Sequence, residues 1–474
     1  MKHDKFYING QWVEPSGQLR FELVNPTTEQ PFASVRLGDA EDVDRAVRSA
    51  RAAFETFQHT SKADRVALLR RVANAFEARE QDLLQLLSQE MGAPIGMKGH
   101  TQAALSALRQ AAVTLEAYEF ETRIGNDIVR REPIGVCGLI TAWNWPLQLL
   151  CLKLGSALAA GCTVVVKPSE YTPLSTLLVA EVLEAADVPA GVFNVVVGDG
   201  PTVGEAITGH PGIDMVSFTG STRAGIQVAR SAAGTVKRVC QELGGKSANI
   251  VLPDADLAAA ARWNVARGFA NSGQSCHSPS RILVQRAQLD ALVMHLADSV
   301  RTVVVGAPED PTTTMGPVVN RSQFERIQGY IQSGIEEGAR LVCGGPGRPA
   351  GLERGYFVQP TIFADVRPDM TIAREEIFGP VLCVIPYDTV DDAVEIANAS
   401  PYGLGGYVFS NDAKQGYAVG RRIRAGRIFL NGAPSNNSAP MGGYKQSGNG
   451  REMGVFGLEE YLEVKAMLGF EALQ

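Results

Sequence analysis

The chain has 474 residues, which is enough for two or three domains with a large hydrophobic core. With 45% apolar and 20% charged residues, its composition is that of a soluble globular protein. The formal net charge of -7 argues against a nucleic-acid-binding surface, and no long basic run offers a local exception.

The cysteines predict a reducing, cytoplasmic location. They are odd in number, dispersed and without CxxC spacing, so neither a disulfide framework nor a metal site is predicted. The set is Cys137, Cys151, Cys162, Cys240, Cys276, Cys343 and Cys383. The first residues lack the apolar stretch of a signal peptide. Residues 147–166 are apolar but interrupted by Lys153 and Gly155, which favours a buried helix and strand over a membrane span.

The N-terminal third predicts a hairpin followed by helices. Residues 5–13 alternate around an Asn9-Gly10 turn, and helical periodicity then covers 39–57, 62–90 and 96–119. The apolar stripes of these helices are interpreted as core packing. Residues 120–131 form a polar hairpin, either a solvated excursion or an assembly arm; we favour the arm.

Residues 134–218 predict parallel α/β units. Short apolar runs at 134–140, 162–166, 192–197 and 213–218 are separated by helical stretches. This spacing suits right-handed βαβ crossovers, with a ligand expected at the carboxyl ends of the strands.

Two segments are candidates for binding a dinucleotide, although no GxGxxG motif is present. Residues 218–225, with Gly220 and Ser221, follow a strand and open a helix, where a pyrophosphate could bind; taken alone, such a turn is only a helix cap. Glu170, just after another strand, could accept hydrogen bonds from ribose hydroxyls. A carboxylate disfavours a 2′-phosphate, so NAD is expected, with NADP still possible.

Two residues are candidates for chemistry. Cys276 lies in a small-residue loop, 269–281, between a helix-like run and a strand, where a nucleophile could be placed. Most cysteines, however, are buried small hydrophobes. Glu242 lies between a strand and two glycines, where its pKa could be raised for general-base catalysis; a solvated Glu is the alternative.

The C-terminal part predicts a second α/β unit with strands at 381–387 and 426–430 and a turn at Asn431-Gly432. The glycine-rich residues 440–451 are either a surface linker or the wall of a site. Residues 458–469 alternate as a strand that could pair with another chain.

Eight motifs, in order along nearly the whole chain, resemble the NAD(P)-dependent aldehyde dehydrogenase superfamily. They are Trp143-Asn144-Trp145-Pro146, Lys153-Leu154-Gly155, Lys167-Pro168-Ser169-Glu170, Phe218-Thr219-Gly220-Ser221-Thr222, Glu242-Leu243-Gly244-Gly245-Lys246, Gly273-Gln274-Ser275-Cys276, Glu376-Ile377-Phe378-Gly379-Pro380 and Gly442-Gly443-Tyr444-Lys445-Gln446-Ser447-Gly448. Several unrelated motifs in the right order are far more specific than any one of them.

The resemblance implies a catalytic set. Cys276 attacks the aldehyde, and the amide of Asn144 with the backbone N–H of Cys276 holds the oxyanion. Hydride leaves for the nicotinamide, and Glu242 activates the water that hydrolyses the thioester. Lys153 corresponds to a family lysine near the ribose that relays protons.

The same resemblance implies cofactor contacts. Lys167, Glu170 and Glu376 are expected to hold the riboses, Phe378 the nicotinamide end, and Gly220 and Ser221 the pyrophosphate. The full expected set is Trp143, Lys167, Glu170, Gly200, Pro201, Phe218, Gly220, Ser221, Leu243, Glu376 and Phe378.

A substrate tunnel is implied as well, lined by Trp145, Leu149, Leu152, Ser275, His277, Ser435 and Met441. This mostly apolar wall favours an uncharged aliphatic, terpenoid or aromatic aldehyde, while an ω-oxo acid remains open. Trp145 and His277 depart from the residues common in the family. His277 could act as a base for Cys276, but adjacent side chains on an extended loop are expected to diverge.

The implied fold is α/β: a Rossmann-like cofactor domain (1–115 and 134–244), a catalytic α/β domain (245–446) and a small β oligomerisation arm with the C-terminal strand (116–133 and 447–474). The arm implies a homodimer or homotetramer. Rival interpretations are a CoA-acylating relative, a binding protein on this fold, and a cysteine hydrolase built on Cys276. The presence of Glu242 and Asn144 argues against the first two. No good histidine partner for Cys276 argues against the third.

Overall fold

The computed structural model describes residues 4–470. From the N-terminus the elements are β1 (Phe6–Ile8), β2 (Gln11–Val13), β3 (Arg20–Asn25), β4 (Gln30–Arg36), α1 (Ala40–Phe57), α2 (Lys62–Ala78), α3 (Glu80–Met91), α4 (Gly99–Ala117), β5 (Glu121–Ile124), β6 (Asp127–Pro133), β7 (Val136–Ile140), α5 (Pro146–Ala160), β8 (Thr163–Lys167), α6 (Pro173–Ala185), β9 (Phe193–Val195), α7 (Glu205–Gly209), β10 (Met215–Thr219), α8 (Thr222–Ala232) and β11 (Arg238–Glu242).

The second half continues the alternation of strands and helices. Its elements are β12 (Ala248–Val251), α9 (Leu257–Gly268), β13 (Arg281–Gln285), α10 (Leu289–Val300), α11 (Arg321–Glu336), β14 (Arg340–Cys343), β15 (Thr361–Ala364), α12 (Thr371–Arg374), β16 (Val381–Tyr387), α13 (Val390–Asn398), β17 (Gly405–Phe409), α14 (Ala413–Gly420), β18 (Arg427–Leu430), β19 (Gly448–Asn449), α15 (Gly454–Glu459) and β20 (Leu462–Met467).

The first helices follow the sequence pattern with one correction. Asp39 caps α1, its side chain accepting from the backbone N–H groups of Glu41 and Asp42. The predicted single helix over 62–90 is wrong, because the backbone of Arg79 leaves the helical region (φ -109°, ψ 15°) and separates α2 from α3. The apolar stripe continues across this break, since both helices pack against the same core.

The cofactor-side sheet has the strand order β19-β11-β10-β7-β8-β9. Five of its strands are parallel, and only β19 is antiparallel, to β11. Strands β7, β8, β9 and β10 are fully buried, which explains why they appear in the sequence as continuous apolar runs. The expected α/β architecture with parallel strands is confirmed.

Helix α5 and strand β8 together account for the long apolar segment 147–166. All fifteen residues of α5 except Gln148 are buried in protein, which is the pattern of a core helix. Gly161 ends the helix with φ 93°, a conformation that glycine adopts without strain. Among residues 4–470, no helix combines the length and apolar character needed to cross a membrane.

The second sheet has the order β14-β15-β16-β13-β12-β17-β18, parallel except for β14. Strands β16, β13, β12 and β17 form its buried centre, and helices α9, α10, α11 and α13 contribute to the clusters that pack against it. The loop with Cys276 connects α9 to β13 and therefore lies at the amino-terminal end of a central strand of this sheet.

A third, antiparallel sheet has the order β20-β6-β5. The predicted polar hairpin of residues 120–131 forms β5 and β6; β5 is exposed and β6 is half-buried. The predicted terminal strand is shorter than expected: residues 458 and 459 belong to α15, and β20 pairs with β6 of its own chain.

The glycine-rich segment 440–451 is not a free linker. Its Gly448 pairs with Glu242, and Ser447 accepts the backbone N–H of Leu243 at 3.0 Å. Gly448 has φ 119°, and a Cβ at this position would lie 2.0 Å from the carbonyl oxygen of Gln241. The segment that the predicted boundaries assign to the arm thus adds β19 to the cofactor-side sheet.

Candidate active site

A single cleft is lined both by residues at the strand ends of the cofactor-side sheet and by residues in loops of the second sheet. Its free space is about 840 Å³. The lining residues are Ala142, Trp143, Asn144, Trp145, Gln148, Leu149, Leu152, Thr219, Gly220, Ser221, Glu242, Leu243, Gly244, Cys276, His277, Gln323, Arg326, Glu376, Phe378 and Met441. Fourteen of the predicted site residues are in this set.

The other predicted residues lie outside the lining. Phe218 is buried in β10, Ser275 lies beside the cleft, and Ser435 is exposed. Gly200 and Pro201 begin a single wide turn, Gly200–Gly204, and both are exposed. Sequence reasoning missed Gln148, Gln323 and Arg326, because isolated polar residues on α5 and α11 carry no local signal for a site.

The loop that holds Cys276 is fixed by buried amides. Asn271, Ser272 and Gly273 have consecutive positive φ values of 52°, 56° and 73°. For Asn and Ser such values require support from the surroundings. The hydroxyl of Ser272 donates to the carbonyl of Gly316 at 2.8 Å. The side chain of Gln274 accepts the N–H of Val319 at 2.9 Å. These contacts anchor the turn that precedes the nucleophile.

Asn144 connects the two halves of the cleft. Its Nδ2 donates to the backbone carbonyl of Gln274 at 3.1 Å, and its own carbonyl accepts from Asn271 Nδ2 at 2.8 Å. An amide nitrogen carries two N–H groups, so one remains beyond the bond to Gln274. Asn144 also lines the cleft together with Cys276, as an oxyanion donor must.

Cys276 is held as a thiol in the resting site. Burial, reinforced by the carboxyls of Glu376 and Glu242, raises the pKa of Cys276 to about 12. Backbone N–H groups of Cys276 and His277 act in the opposite direction, because they stabilise the thiolate. These N–H groups can stabilise a thiolate once it forms, but burial and the two carboxyls make the thiol the favoured form at rest.

Glu242 is the buried carboxyl at the carboxyl end of β11. Its Oε1 has no hydrogen-bond partner among residues 4–470. Burial, and after it the charge of Glu452, raises the pKa of Glu242 well above its usual range, while Lys153 acts against this shift. A carboxylate with a raised pKa is a stronger base, and a free oxygen leaves it able to turn toward a reactant.

Lys153 does not extend into the cleft. Its Nζ donates to Ser217 Oγ at 3.0 Å and forms an ion pair with Glu452. The two paired side chains are only 0% and 5% exposed. Sequence reasoning missed Glu452, since it follows a glycine-rich loop far from Lys153 in the chain. The role of Lys153 near a ribose stays a prediction, while in this structure its charge acts on the pKa of Glu242.

Glu376 is the second buried carboxyl of the cleft. Its Oε1 accepts the backbone N–H of Gly245 at 2.9 Å, and burial raises the pKa of Glu376 to about 7. A Cβ on Gly244 would lie 2.3 Å from Glu376 Oε2, so this approach requires glycine. Phe378 has φ 60° and packs edge-on against Trp143 with ring centroids 5.4 Å apart.

The phosphate candidate is both a helix cap and part of the cleft wall. Ser221 Oγ accepts the backbone N–H of Ala224 at 3.3 Å at the start of α8, so this turn does cap the helix. Gly220 and Ser221 also line the cleft. At the end of β8, Lys167 Nζ donates to the carbonyls of Pro168 and Gly198 and lies 3.7 Å from Glu170 Oε2.

His277 turns toward Cys276, contrary to the expected divergence. Residues 275–278 form a turn, closed by the N–H of Ser278 and the carbonyl of Ser275 at 3.1 Å, instead of an extended loop. His277 Nδ1 consequently lies 3.7 Å from Cys276 Sγ. Burial, followed by Arg267 and Arg427, lowers the pKa of His277 well below its usual range.

Comparison with known proteins identifies the family. The model of the aldehyde dehydrogenase family matches residues 12–467. A 3-succinoylsemialdehyde-pyridine dehydrogenase from Pseudomonas sp. is 51% identical over 471 residues, which cover 98% of each chain. A putative aldehyde dehydrogenase from Staphylococcus aureus is 46% identical and covers 99% of both chains.

Solved structures agree with this assignment. A mutant of aldehyde dehydrogenase C from Pseudomonas syringae, solved with NAD+ and octanal, has a TM-score of 0.98 at 51% identity, covering 99% of this chain and 97% of its own. The Mycobacterium tuberculosis aldehyde dehydrogenase complexed with NAD+ has a TM-score of 0.96 at 43% identity, covering 98% of each. Because the family model matches residues 12–467 and a relative over nearly the full length is 51% identical, the chain belongs to the aldehyde dehydrogenase family.

Proposed function

We propose that this protein oxidises an aldehyde to the carboxylic acid with NAD as the acceptor. In the balanced reaction, aldehyde, water and NAD+ become carboxylate, NADH and two protons. The observation that carries the proposal is the convergence of Cys276, Asn144 and the unpartnered Glu242 on one cleft between two sheets. Each group has the chemistry that one part of this reaction requires.

Cys276 forms the first bond. Its sulfur attacks the aldehyde carbon, and its proton leaves to a base, since the raised pKa keeps the resting group a thiol. The remaining N–H of Asn144 Nδ2 and the backbone N–H of Cys276 donate to the oxygen on which negative charge develops. Such donors stabilise the tetrahedral state more than the flat carbonyl, which is why they accelerate the step.

The residues around the cleft fit NAD. Buried polar atoms without a partner in residues 4–470, among them Thr219 Oγ1 and Glu242 Oε1, need a ligand or water. When bound, NAD supplies the acceptor for the hydride that the substrate carbon loses. Lys167 and Glu170 are proposed to hold one ribose and Glu376 the other.

The remaining cofactor residues surround these three. Gly220 and Ser221, at the N-terminus of the eleven-residue α8, are proposed to contact the pyrophosphate. Gly200 and Pro201 lie at the proposed adenine end, and Phe378, packed on Trp143, at the nicotinamide end. Phe218 and Leu243 support the strand ends of β10 and β11.

Glu242 completes the reaction by activating water. The thioester left on Cys276 is hydrolysed when a carboxylate removes a proton from water and the sulfur leaves as thiolate. The raised pKa of Glu242 makes its carboxylate a stronger base than that of an ordinary glutamate. The buried pair of Lys153 and Glu452 lies behind it and sets the charge that Glu242 experiences. This base also argues against a CoA-acylating enzyme, which transfers the acyl group to a thiol instead of water.

The substrate is proposed to be an uncharged aliphatic or aromatic aldehyde. Trp145, Leu149, Leu152 and Met441 give the cleft an apolar side near the nucleophile. Trp145 is fixed in place, since its Nε1 donates to Ser275 Oγ at 2.8 Å and its ring stacks on His100 with centroids 4.0 Å apart. The octanal complex and the pyridine-containing semialdehyde named for the two relatives at 51% identity support this class.

A semialdehyde that carries a carboxylate is a second candidate. Arg427 Nη2 donates to Oγ of Ser435, a predicted tunnel residue, at 3.1 Å and to the backbone carbonyl of Asn436 at 3.3 Å. This guanidinium could receive a distant carboxylate of the substrate. Replacing Arg427 by Met would then lower kcat/KM for semialdehydes more than for octanal.

Assembly and location follow the same line of inference. The exposed β5 and the chain-terminal β20 form the edges of the arm sheet and expose Ile124, Val464 and Met467. Exposed apolar residues on sheet edges favour a homodimer or homotetramer built through the arm. All seven cysteines are free, which favours the reducing cytoplasm.

The experiment is NADH absorbance after mixing the protein with NAD, or NADP, and a panel of aldehydes from acetaldehyde through octanal and aromatic aldehydes to semialdehydes. We expect turnover with NAD and none in Cys276→Ala, and the ranking of kcat/KM identifies the substrate class. Failure of NAD to bind, with no turnover on any aldehyde, would contradict the proposal.

A further inference from the structure

His277, the residue that follows Cys276, lies between the Cys276 sulfur and the guanidinium of Arg267. His277 faces two groups: its Nδ1 lies 3.7 Å from Cys276 Sγ, and its Nε2 contacts Nη2 of Arg267. We propose that His277 donates a hydrogen bond to the Cys276 thiolate and that Arg267, as a positioning residue, fixes His277 in this donor state. The inference rests on the proposed function only in taking Cys276 as the nucleophile.

The argument starts from Arg267, because a guanidinium has donors and no acceptor. When Arg267 Nη2 contacts His277 Nε2, that ring nitrogen must supply a lone pair. A neutral imidazole carries one proton, so the proton is on Nδ1, the nitrogen nearest Sγ. A protonated Nδ1 cannot accept the thiol proton, which excludes His277 as the base for Cys276.

The surroundings keep the ring neutral. Arg267 on α9 and Arg427 on β18 face it as permanent cations, and together with burial they lower the pKa of His277 well below its usual range. Tyr407 on β17 donates its hydroxyl to the backbone carbonyl of His277 at 2.6 Å, which fixes the backbone without contacting the ring nitrogens. Within residues 4–470, the charged groups that act on the ring are these two arginines, and neither favours an imidazolium.

The thiolate of Cys276 needs hydrogen-bond donors to stabilise it, because the surroundings of the sulfur disfavour a negative charge. Glu376 and Glu242 face its sulfur and disfavour the thiolate, while the backbone N–H groups of Cys276 and His277 favour it. The Nδ1–H of His277 is a third donor to the same atom. Hydrogen bonds to the charged form lower a pKa, so this donor brings the thiolate within reach of a base that removes its proton.

Two pairs of variants test the proposal. His277→Ala removes the donor, whereas His277→Asn places an amide N–H near the position of Nδ1. Arg267→Met removes the contact that fixes the tautomer, whereas Arg267→Lys retains a cationic donor. The readout is the rate at which iodoacetamide alkylates Cys276 between pH 7 and 10, measured by mass spectrometry of the Cys276 peptide.

We expect His277→Ala to slow alkylation by about tenfold below the thiol pKa, since a rise of about one pKa unit removes about nine-tenths of the thiolate. His277→Asn should recover most of that loss. Arg267→Met should slow alkylation in the same direction and Arg267→Lys should not. Alkylation of the half-buried Cys343 on β14 should be equal in all four variants, which controls for loss of folding.

If His277 acted instead as the base for Cys276, Arg267→Met would change the alkylation rate in the opposite direction. Removing that cation would raise the pKa of His277, favour an imidazolium–thiolate pair and speed alkylation in Arg267→Met. The proposal is overturned by that result, by an unchanged rate in His277→Ala, or by His277→Asn being as slow as His277→Ala. Alkylation needs neither NAD nor aldehyde, so failure here is distinguishable from failure of the proposed dehydrogenase activity.

Discussion

Two carboxyls, Glu242 and Glu376, line the same cleft and differ in their hydrogen bonding. Burial is the largest cause of a raised pKa in both. Glu376 is fixed by the backbone N–H of Gly245, whereas Glu242 Oε1 has no partner among residues 4–470. This difference suits Glu376 to a fixed binding contact. It suits Glu242 to act as a base, because its free oxygen can turn toward a reactant.

The largest effect is expected for Glu242→Gln. Gln cannot remove a proton from water, so kcat should fall by about 10²–10⁴ while KM for NAD changes little. The first NADH per site should still form at a normal rate, because the base acts after the oxidation. Pre-steady-state absorbance separates the two phases. Equal losses in the first turnover and in kcat would place Glu242 in the first step instead.

The second prediction concerns the ion pair behind Glu242. Lys153→Met leaves Glu452 buried without its partner, which should cost about 3–5 kcal/mol of the free energy of unfolding. The double variant Lys153→Met/Glu452→Gln should recover most of that loss, since no charge is then left buried. Denaturant unfolding measures both. Full stability of the single variant would mean that the two side chains are not paired.

A third prediction separates the oxidation from the hydrolysis. Asn144→Ala should slow the first turnover by about 10²–10³, because a donor to the developing oxyanion is lost. Glu242→Gln should leave that phase intact, so the two variants form a matched pair. Since Asn144 also supports the loop at Gln274, the thermal midpoint must be compared as a control.

The smallest effect is expected for Glu376→Gln. It should raise KM for NAD by about tenfold, corresponding to about 1.4 kcal/mol, with little change in kcat. Because the pKa of Glu376 is raised to about 7, the wild-type affinity for NAD should increase as pH rises through 7 and the carboxyl ionises. The variant should show a flat profile, measured by fluorescence titration. The same slope in both would assign the pH dependence to another group.

The pKa of Glu376 also affects stability, with a definite sign. The native carboxyl holds its proton up to about pH 7, whereas the unfolded one releases it near 4.5. The native state therefore binds more protons in this window, and stability should fall as pH rises from about 4.5 to 7. Glu376→Gln should lack this slope in denaturant unfolding.

The sequence predicts the fold best where its signals are local. Apolar runs and the turn at Gly220-Ser221 are local features, and the structure contains the strands and the helix start that they predict. Arg79, which divides one predicted helix into two, shows no such feature, because the same apolar stripe continues on both sides of it.

The missed features of the site depend on contacts across long stretches of chain. Glu452 and Lys153 are 299 residues apart, so only the fold brings them together. The orientation of His277 depends on a turn at residues 275–278 and on Arg267 from α9, which neighbouring residue types do not determine. Motifs identify which residues matter, and packing decides what each one contacts.

The most direct test is to trap the acyl-enzyme. Glu242→Gln is mixed with NAD and octanal, quenched in acid after one turnover, and analysed by intact-mass and peptide mass spectrometry. The account predicts a mass gain equal to the acyl group less one hydrogen, located on Cys276 and absent in the Cys276→Ala/Glu242→Gln double variant. NADH formation without this adduct, or an adduct on another residue, would contradict it.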